Sequence, residues 1–220
     1  MIANEMESTE SGTGDSPPSS TLAEAARELV EAGRFLSLRS FVPATSGNFS
    51  RRLDARTVAV TRSGVDKGEL TEADILVADI HAPPPPGSSA ETPLHLHLYR
   101  ERSGVAAVLH THSVVSALLS SLREAEGAIA LRGFELLKAL GDTRTHEATV
   151  VIPVFPNDQD VPRLAERVSA ELARRPEAVG YLIAGHGLYA WGRSVREARR
   201  HTVALEHLLT CELERMRICR

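Results

Sequence analysis

Apolar residues recur at helical spacing near the start of the chain: Leu22, Ala25, Ala26, Leu29, Val30 and Phe35 share one face of a 3.6-residue period. Ahead of them Thr21-Leu-Ala-Glu24 is a capping box, in which the N-cap hydroxyl and the Glu at N3 satisfy each other's backbone N–H. A helix is expected to begin there. From Thr45 the texture changes. Ser46-Gly47-Asn48 is a turn signal, Val58–Thr61 a short strand ending at Ser63-Gly64, and Thr71–Asp74 one helical turn leading into a strand Ile75–Ile80. The prolines at 83–86 with Gly87 exclude helix and central strand. Then come a helix from about Glu91 to Arg102, a buried strand Val105–His110, helices Val114–Leu122 and Glu135–Leu140, and a strand Thr149–Val154 closed by Pro153 and Pro156. Val161, Leu164, Ala165, Val168 and Leu172 mark another amphipathic helix. A strand Gly180–Ala184 turns at Gly185-His186-Gly187 into a second, Leu188–Trp191, and a long helix runs from about Ser194 to Met216. The mixture predicts an α/β chain with helices on both faces of a sheet that contains hairpins, not a simple βαβ repeat.

A chain of 220 residues suits one such domain, expected over residues 21–220. Residues 1–20 are rich in Ser, Thr, Gly and Pro, carry Glu5, Glu7, Glu10 and Asp15, and have no Lys or Arg; they are expected to form a mobile acidic tail. The net charge of −4 therefore belongs to that segment, and the remainder holds 25 groups of each sign. A neutral body without a clustered basic face gives no reason to expect nucleic acid as a partner. No apolar run approaches the ~18 residues of a membrane helix, and no cationic segment leads into an apolar one at the start. Cys211 and Cys219 suggest no disulfide framework, so a reducing cytoplasm is expected.

His110-Thr-His112 follows the apolar run Val105–Leu109, and at a strand end residues i and i+2 point the same way. The two imidazoles converge as two metal ligands would, although two satisfied polar side chains would look the same. The other such pair, His95-Leu-His97, lies in an expected helix, where i and i+2 face apart; one core and one surface histidine are expected. A catalytic metal takes three protein ligands and keeps one position open. His186, between two glycines at the end of a buried strand, is the best third candidate. His81, His146, His201 and His207 are expected to be solvated. Glu91 and Glu135 compete for acid/base work, each also explicable as a first-turn acid of its helix. Three turns, at Ser46-Gly-Asn48, Arg62-Ser-Gly64 and Gly87-Ser-Ser89, offer N–H groups and hydroxyls that suit a phosphate.

Together these residues resemble the class II (metal-dependent) sugar-phosphate aldolase family. Ser-Gly-Asn at 46–48, Thr-Arg-Ser-Gly at 61–64, Ser-Ala-Glu at 89–91, His-Thr-His at 110–112 and Gly-His-Gly at 185–187 occur in the family's order, over roughly residues 22–216. Longer strings at 60–67, 90–94, 152–160 and 180–192 are similar to a dehydratase branch of that family. The resemblance implies a three-layer α/β/α fold around a mixed, largely antiparallel sheet. It also implies one zinc ion per subunit on His110, His112 and His186, a small sugar-phosphate substrate, and a homotetramer with sites at subunit boundaries. Asn48, Ser63, Gly64 and Ser89 match phosphate-holding positions; Ala90 stands where aldolases have a second serine. Glu91 matches the aldolases' acid/base residue near the metal, and Glu135 the glutamate that serves eukaryotic dehydratases. The expectation is that Glu135 moves the protons and Glu91 neighbours the metal. The rivals are an aldolase or epimerase acting on another ketose phosphate, and a non-catalytic scaffold like the adducin head.

Overall fold

The computed structural model of the chain describes residues 21–219; the expected acidic tail lies outside the described residues. Thr21 caps α1 (Leu22–Ser37) through the reciprocal bonds of the capping box. There follow β1 (Asn48–Arg52), β2 (Thr57–Thr61), β3 (Ile75–Asp79), α2 (Thr92–Glu101), β4 (Ala107–Thr111), α3 (Val114–Leu122) and β5 (Ala128–Arg132). The chain continues through β6 (Thr149–Phe155), α4 (Val161–Ala173), β7 (Gly180–Ile183), β8 (Gly187–Gly192) and α5 (Val195–Ile218).

The eight strands form one sheet in the order β3-β2-β1-β4-β8-β7-β6-β5. Only β6 and β7 run parallel; every other neighbouring pair is antiparallel. Helices α2 and α4 cover one face, packing with Tyr181, Tyr189 and Trp191. The other face is covered by α1, α3 and α5. This is the expected three-layer arrangement with a mixed, largely antiparallel sheet.

Two strands were not expected, and both make sense once formed. Asn48–Arg52 looks too polar for a central strand, yet β1 lies between β2 and β4. The side chains of Ser50 and Arg52 find their partners on the α2 side. The buried Arg52 donates to the carbonyls of Val105 and Tyr99 at 3.0 and 2.7 Å, and Ser50 Oγ bonds to His95 and Tyr99. β5 buries Ile129 and Leu131 and exposes Ala130 and Arg132, a plain strand alternation. Pro153 does not close its strand but lies within it, opposite Ala128. β7 pairs only from Val154 onward, so the missing N–H removes no ladder bond to it. The helix expected over Glu135–Leu140 is a 3-10 helix, Glu135–Ala139. His201, expected to be solvated, is buried on α5; its Nδ1 bonds to the Trp191 carbonyl at 2.6 Å and its Nε2 accepts from Gly141 N–H.

Candidate active site

One row of residues crosses four adjacent strands. Asn48 of β1 pairs with His110 of β4, His110 with Tyr189 of β8, and Tyr189 with Tyr181 of β7. Directly paired residues point to the same face, and the rings stack accordingly. His110 and Tyr189 lie 3.9 Å apart at 15°, Tyr189 and Tyr181 4.7 Å apart at 12°. This aromatic backing was not found in the sequence, since nothing local marks Tyr181 and Tyr189 as partners.

His110 is fully buried, and its Nδ1 lies 3.0 Å from the Leu188 carbonyl. That bond assigns the proton to Nδ1 and leaves the Nε2 lone pair free to bind. Nε2 faces His186 Nε2 at 3.2 Å, and the His112 ring lies beside both, with centroids 4.5 and 4.6 Å away. Gly187 makes this approach possible: a Cβ there would stand 2.0 Å from the Thr111 carbonyl oxygen and 3.2 Å from His110 Cε1.

Glu91, the N-cap of α2, completes the group. Its Oε1 lies 2.9 Å from His186 Nε2 and its Oε2 3.3 Å from His110 Nε2. Asn48 Nδ2 donates to Oε2 at 2.8 Å and to Ser89 Oγ at 3.4 Å. Burial opposes the charge on Glu91, but the imidazoles of His110 and His186 outweigh it and hold the carboxyl well below the usual carboxylate range. His112 is pushed down to about 3, first by burial and then by the neighbouring imidazoles, and so presents a neutral ring.

One ligand atom from each of Glu91, His110, His112 and His186 lies within 4.8 Å of the others. Three imidazoles and a carboxylate are a donor set that suits a divalent transition metal. The 3.2 Å between the two Nε2 atoms matches the roughly 3.3 Å separating two nitrogens on one tetrahedral zinc. The residues therefore fit the expected ion. The expected third ligand, His186, stands with the other two. The pair His95 and His97 also behaves as expected in part: His95 is buried, hydrogen-bonded to Ser50 and pushed down to about 3 by burial, whereas His97 is half-buried, not a surface residue.

Beside these residues opens a cavity of about 320 Å³ whose walls include Ser46, Asn48, Ser63, Gly64 and Ser89. Ser63 N–H bonds to the Gly87 carbonyl and Arg62 bridges Ser88, so the second and third turns form one unit. Gly47 holds φ +76°, and a Cβ there would meet the His110 carbonyl at 2.7 Å. All four expected phosphate positions thus share one cavity with His112 and His186. Glu135 does not: its exposed carboxylate binds Lys138 at 2.5 Å and lies 3.7 Å from His146, outside the cavity wall. A larger cavity of about 850 Å³ at the opposite end of the sheet, bordered by Trp191 and Arg102, holds none of the expected site residues.

Behind the site a buried carboxylate, Glu206 of α5, accepts from Thr111 Oγ1 at 2.9 Å and from Ser113 Oγ, the hydroxyls on either side of His112. Burial raises it to about 7 against the pull of those two bonds. A glutamate within a long, highly charged helix gives no sequence signal of such a place.

The matching family is the Class II Aldolase and Adducin N-terminal domain, over residues 27–213, and the chain belongs to it. Its relatives within the family include methylthioribulose-1-phosphate dehydratases. A methylthioribulose-1-phosphate dehydratase of Marinobacter nauticus is 50% identical over 201 residues, 90% of this chain and 97% of that protein. One of Sorangium cellulosum is 47% identical over 197 residues, 88% of this chain and 93% of that protein. The fold is shared with an L-fuculose-1-phosphate aldolase of Thermus thermophilus, at a TM-score of 0.73 and 27% identity, covering 88% of this chain and 95% of that one.

Proposed function

We propose that the chain is a zinc-dependent hydro-lyase of methionine salvage. It converts 5-methylthioribulose 1-phosphate into 2,3-diketo-5-methylthiopentyl 1-phosphate and water, as a cytoplasmic homotetramer with one ion per subunit. The observation that carries this reading is the convergence of Glu91, His110, His112 and His186 at the edge of a cavity bordered by three hydroxyl-bearing turns. Relatives of the same name at half identity over nearly their whole length support the choice of substrate.

A divalent ion on the three histidines would supply Lewis acidity toward the C2 carbonyl oxygen, making the C3 proton acidic. The chain's own residues do the rest. Asn48, Ser63, Gly64 and Ser89 hold the phosphate and so fix the carbon chain beside the histidines. A carboxylate removes the C3 proton, an acid protonates the departing C4 hydroxyl, and the enol left behind tautomerises to the diketone. Glu91, charged and bound by Asn48, orients His110 and His186. The proton transfers belong to Glu135 of a neighbouring copy. Val114, Leu118 and Leu122 support this: they form an exposed apolar stripe on α3, which begins two residues after His112, and Leu136 beside Glu135 is exposed too. A second copy covering that stripe would carry its own Glu135 to a boundary site.

Incubation of the purified, zinc-loaded protein with 5-methylthioribulose 1-phosphate tests the reading. The expected product is lighter by one water with its carbon chain whole. Release of dihydroxyacetone phosphate or glycolaldehyde phosphate would assign an aldolase instead.

A further inference from the structure

Lys67 is a lysine in an unusual place. It is 1% exposed, on the loop that follows β2 and the Ser63-Gly64 turn. Buried lysines are as a rule paired with a carboxylate or neutralised. Among the described residues no carboxylate lies within ion-pair distance of Nζ. The adjacent Asp66 turns its Oδ1 to the Gly68 N–H at 2.8 Å. Nζ donates instead to two carbonyls, Thr45 at 3.1 Å and Val65 at 2.6 Å. An ammonium carries three N–H donors, so the third has no partner among the described residues.

Those two carbonyls belong to the two loops that meet at the cavity. Thr45 opens the Thr45–Asn48 wall, and Val65 follows Gly64 directly. The wall itself contains no Lys or Arg. Arg62, the other cation nearby, is exposed and faces Asp74 at 4.0 Å. Apart from the Glu91 carboxylate and the imidazoles of His112 and His186, neutral hydroxyl, amide and backbone groups line the wall. Two polar atoms there, Ser46 Oγ and Asn48 Oδ1, are buried without a hydrogen-bond partner, and Asn48 is 6% exposed. Such groups await a polar ligand. A phosphate dianion entering this cavity needs a countercharge, and Lys67, a buried cation without a carboxylate partner among the described residues, stands behind the wall.

We propose that Lys67 makes the cavity selective for a phosphate dianion: its ammonium supplies the countercharge from behind, and its two carbonyl bonds lock the Thr45 turn to the Val65 loop. This rests on reading the cavity as the substrate's phosphate seat. Burial lowers the pKa of Lys67, and only the neighbouring Asp66 works against that, so an anion in the seat also favours the charged lysine.

The test uses the full, metal-loaded chain and inorganic phosphate as the probe, followed by calorimetry. Wild type should bind phosphate. Lys67→Met should weaken that binding about 10- to 100-fold, the usual worth of a hydrogen bond to a charged group. Lys67→Arg should stay within a few-fold of wild type, and metal content should be unchanged in all three. With substrate, Lys67→Met should raise KM far more than it lowers kcat. Equal phosphate affinity in wild type and Lys67→Met would overturn the proposal, as would joint loss of phosphate and metal, which marks a structural role only. Should Lys67→Met fail to fold, the Lys67 ammonium signal of wild type in nitrogen-15 NMR decides. It should shift on adding phosphate, and an unmoved signal overturns the proposal. Turnover of the ketose phosphate by wild type is read separately, so an active enzyme whose phosphate affinity ignores Lys67 sinks this inference alone.

Discussion

Asn48 and His110 stand directly opposite each other on β1 and β4. The residue that bonds to both Ser89 and Glu91 therefore shares a rung with the most buried imidazole of the metal cluster. A one-residue slip of β1 against β4 would turn Asn48 to the α1 side and separate phosphate seat from histidines together. The site is set by sheet register first and by side chains second.

The two histidine pairs should separate cleanly. His110→Ala and His112→Ala are expected to lose the ion, because two protein nitrogens do not hold a catalytic metal as three do. His97→Ala should keep full metal stoichiometry, since His97 stands on α2 away from the cluster. Metal analysis of the three purified variants checks this, and equal loss in all three would refute the assignment.

The two glutamates should differ in kind. Glu135→Gln is expected to keep the ion and lose turnover ~10²–10⁴-fold, the usual worth of a positioned acid or base. Glu91→Gln removes a charge that touches two of the ligands, so it should weaken metal retention and cost less turnover. Mixing tells whether Glu135 acts across a boundary. Randomly reassembled Glu135→Gln and His112→Ala subunits should regain up to about a quarter of wild-type activity, because that share of two-chain sites is intact. No recovery would place the base within the same chain and favour Glu91.

Much of this was legible in the residues. The capping box at Thr21, helix Val114–Leu122 and the triad His110, His112 and His186 all stand where spacing and resemblance put them. The remainder depends on contacts distant in sequence. β1 is a strand because Arg52 and Ser50 find their partners on α2 and in the segment before β4. His201 is buried because the Trp191 carbonyl and the Gly141 N–H meet it. The β5 alternation, in contrast, was present in the sequence and readable.

Glu206 predicts a pH effect with a definite sign. Its carboxyl is raised to about 7 in the fold, above its ordinary value, so the folded state holds that proton more tightly than the unfolded chain. Its contribution to stability is therefore fully present below the ordinary glutamate range, falls as pH rises from there to about 7, and levels off above. Glu206→Gln cannot ionise. Raising pH from about 5 to about 8 should lower the Tm of wild type more than that of Glu206→Gln. Parallel Tm curves for the two proteins would show that Glu206 does not titrate in this window.

His110 and His186 lie 76 residues apart in the chain, yet their ring nitrogens meet. An ion gripping both would act as a removable cross-link, pinching off a long loop in the unfolded ensemble as a disulfide does, without cysteine chemistry. The enclosed loop includes α3, β5, β6, α4 and β7, more than a third of the chain. Stripping the ion should therefore loosen the molecule as a whole, and metal supply would govern how long the protein survives as well as how fast it works.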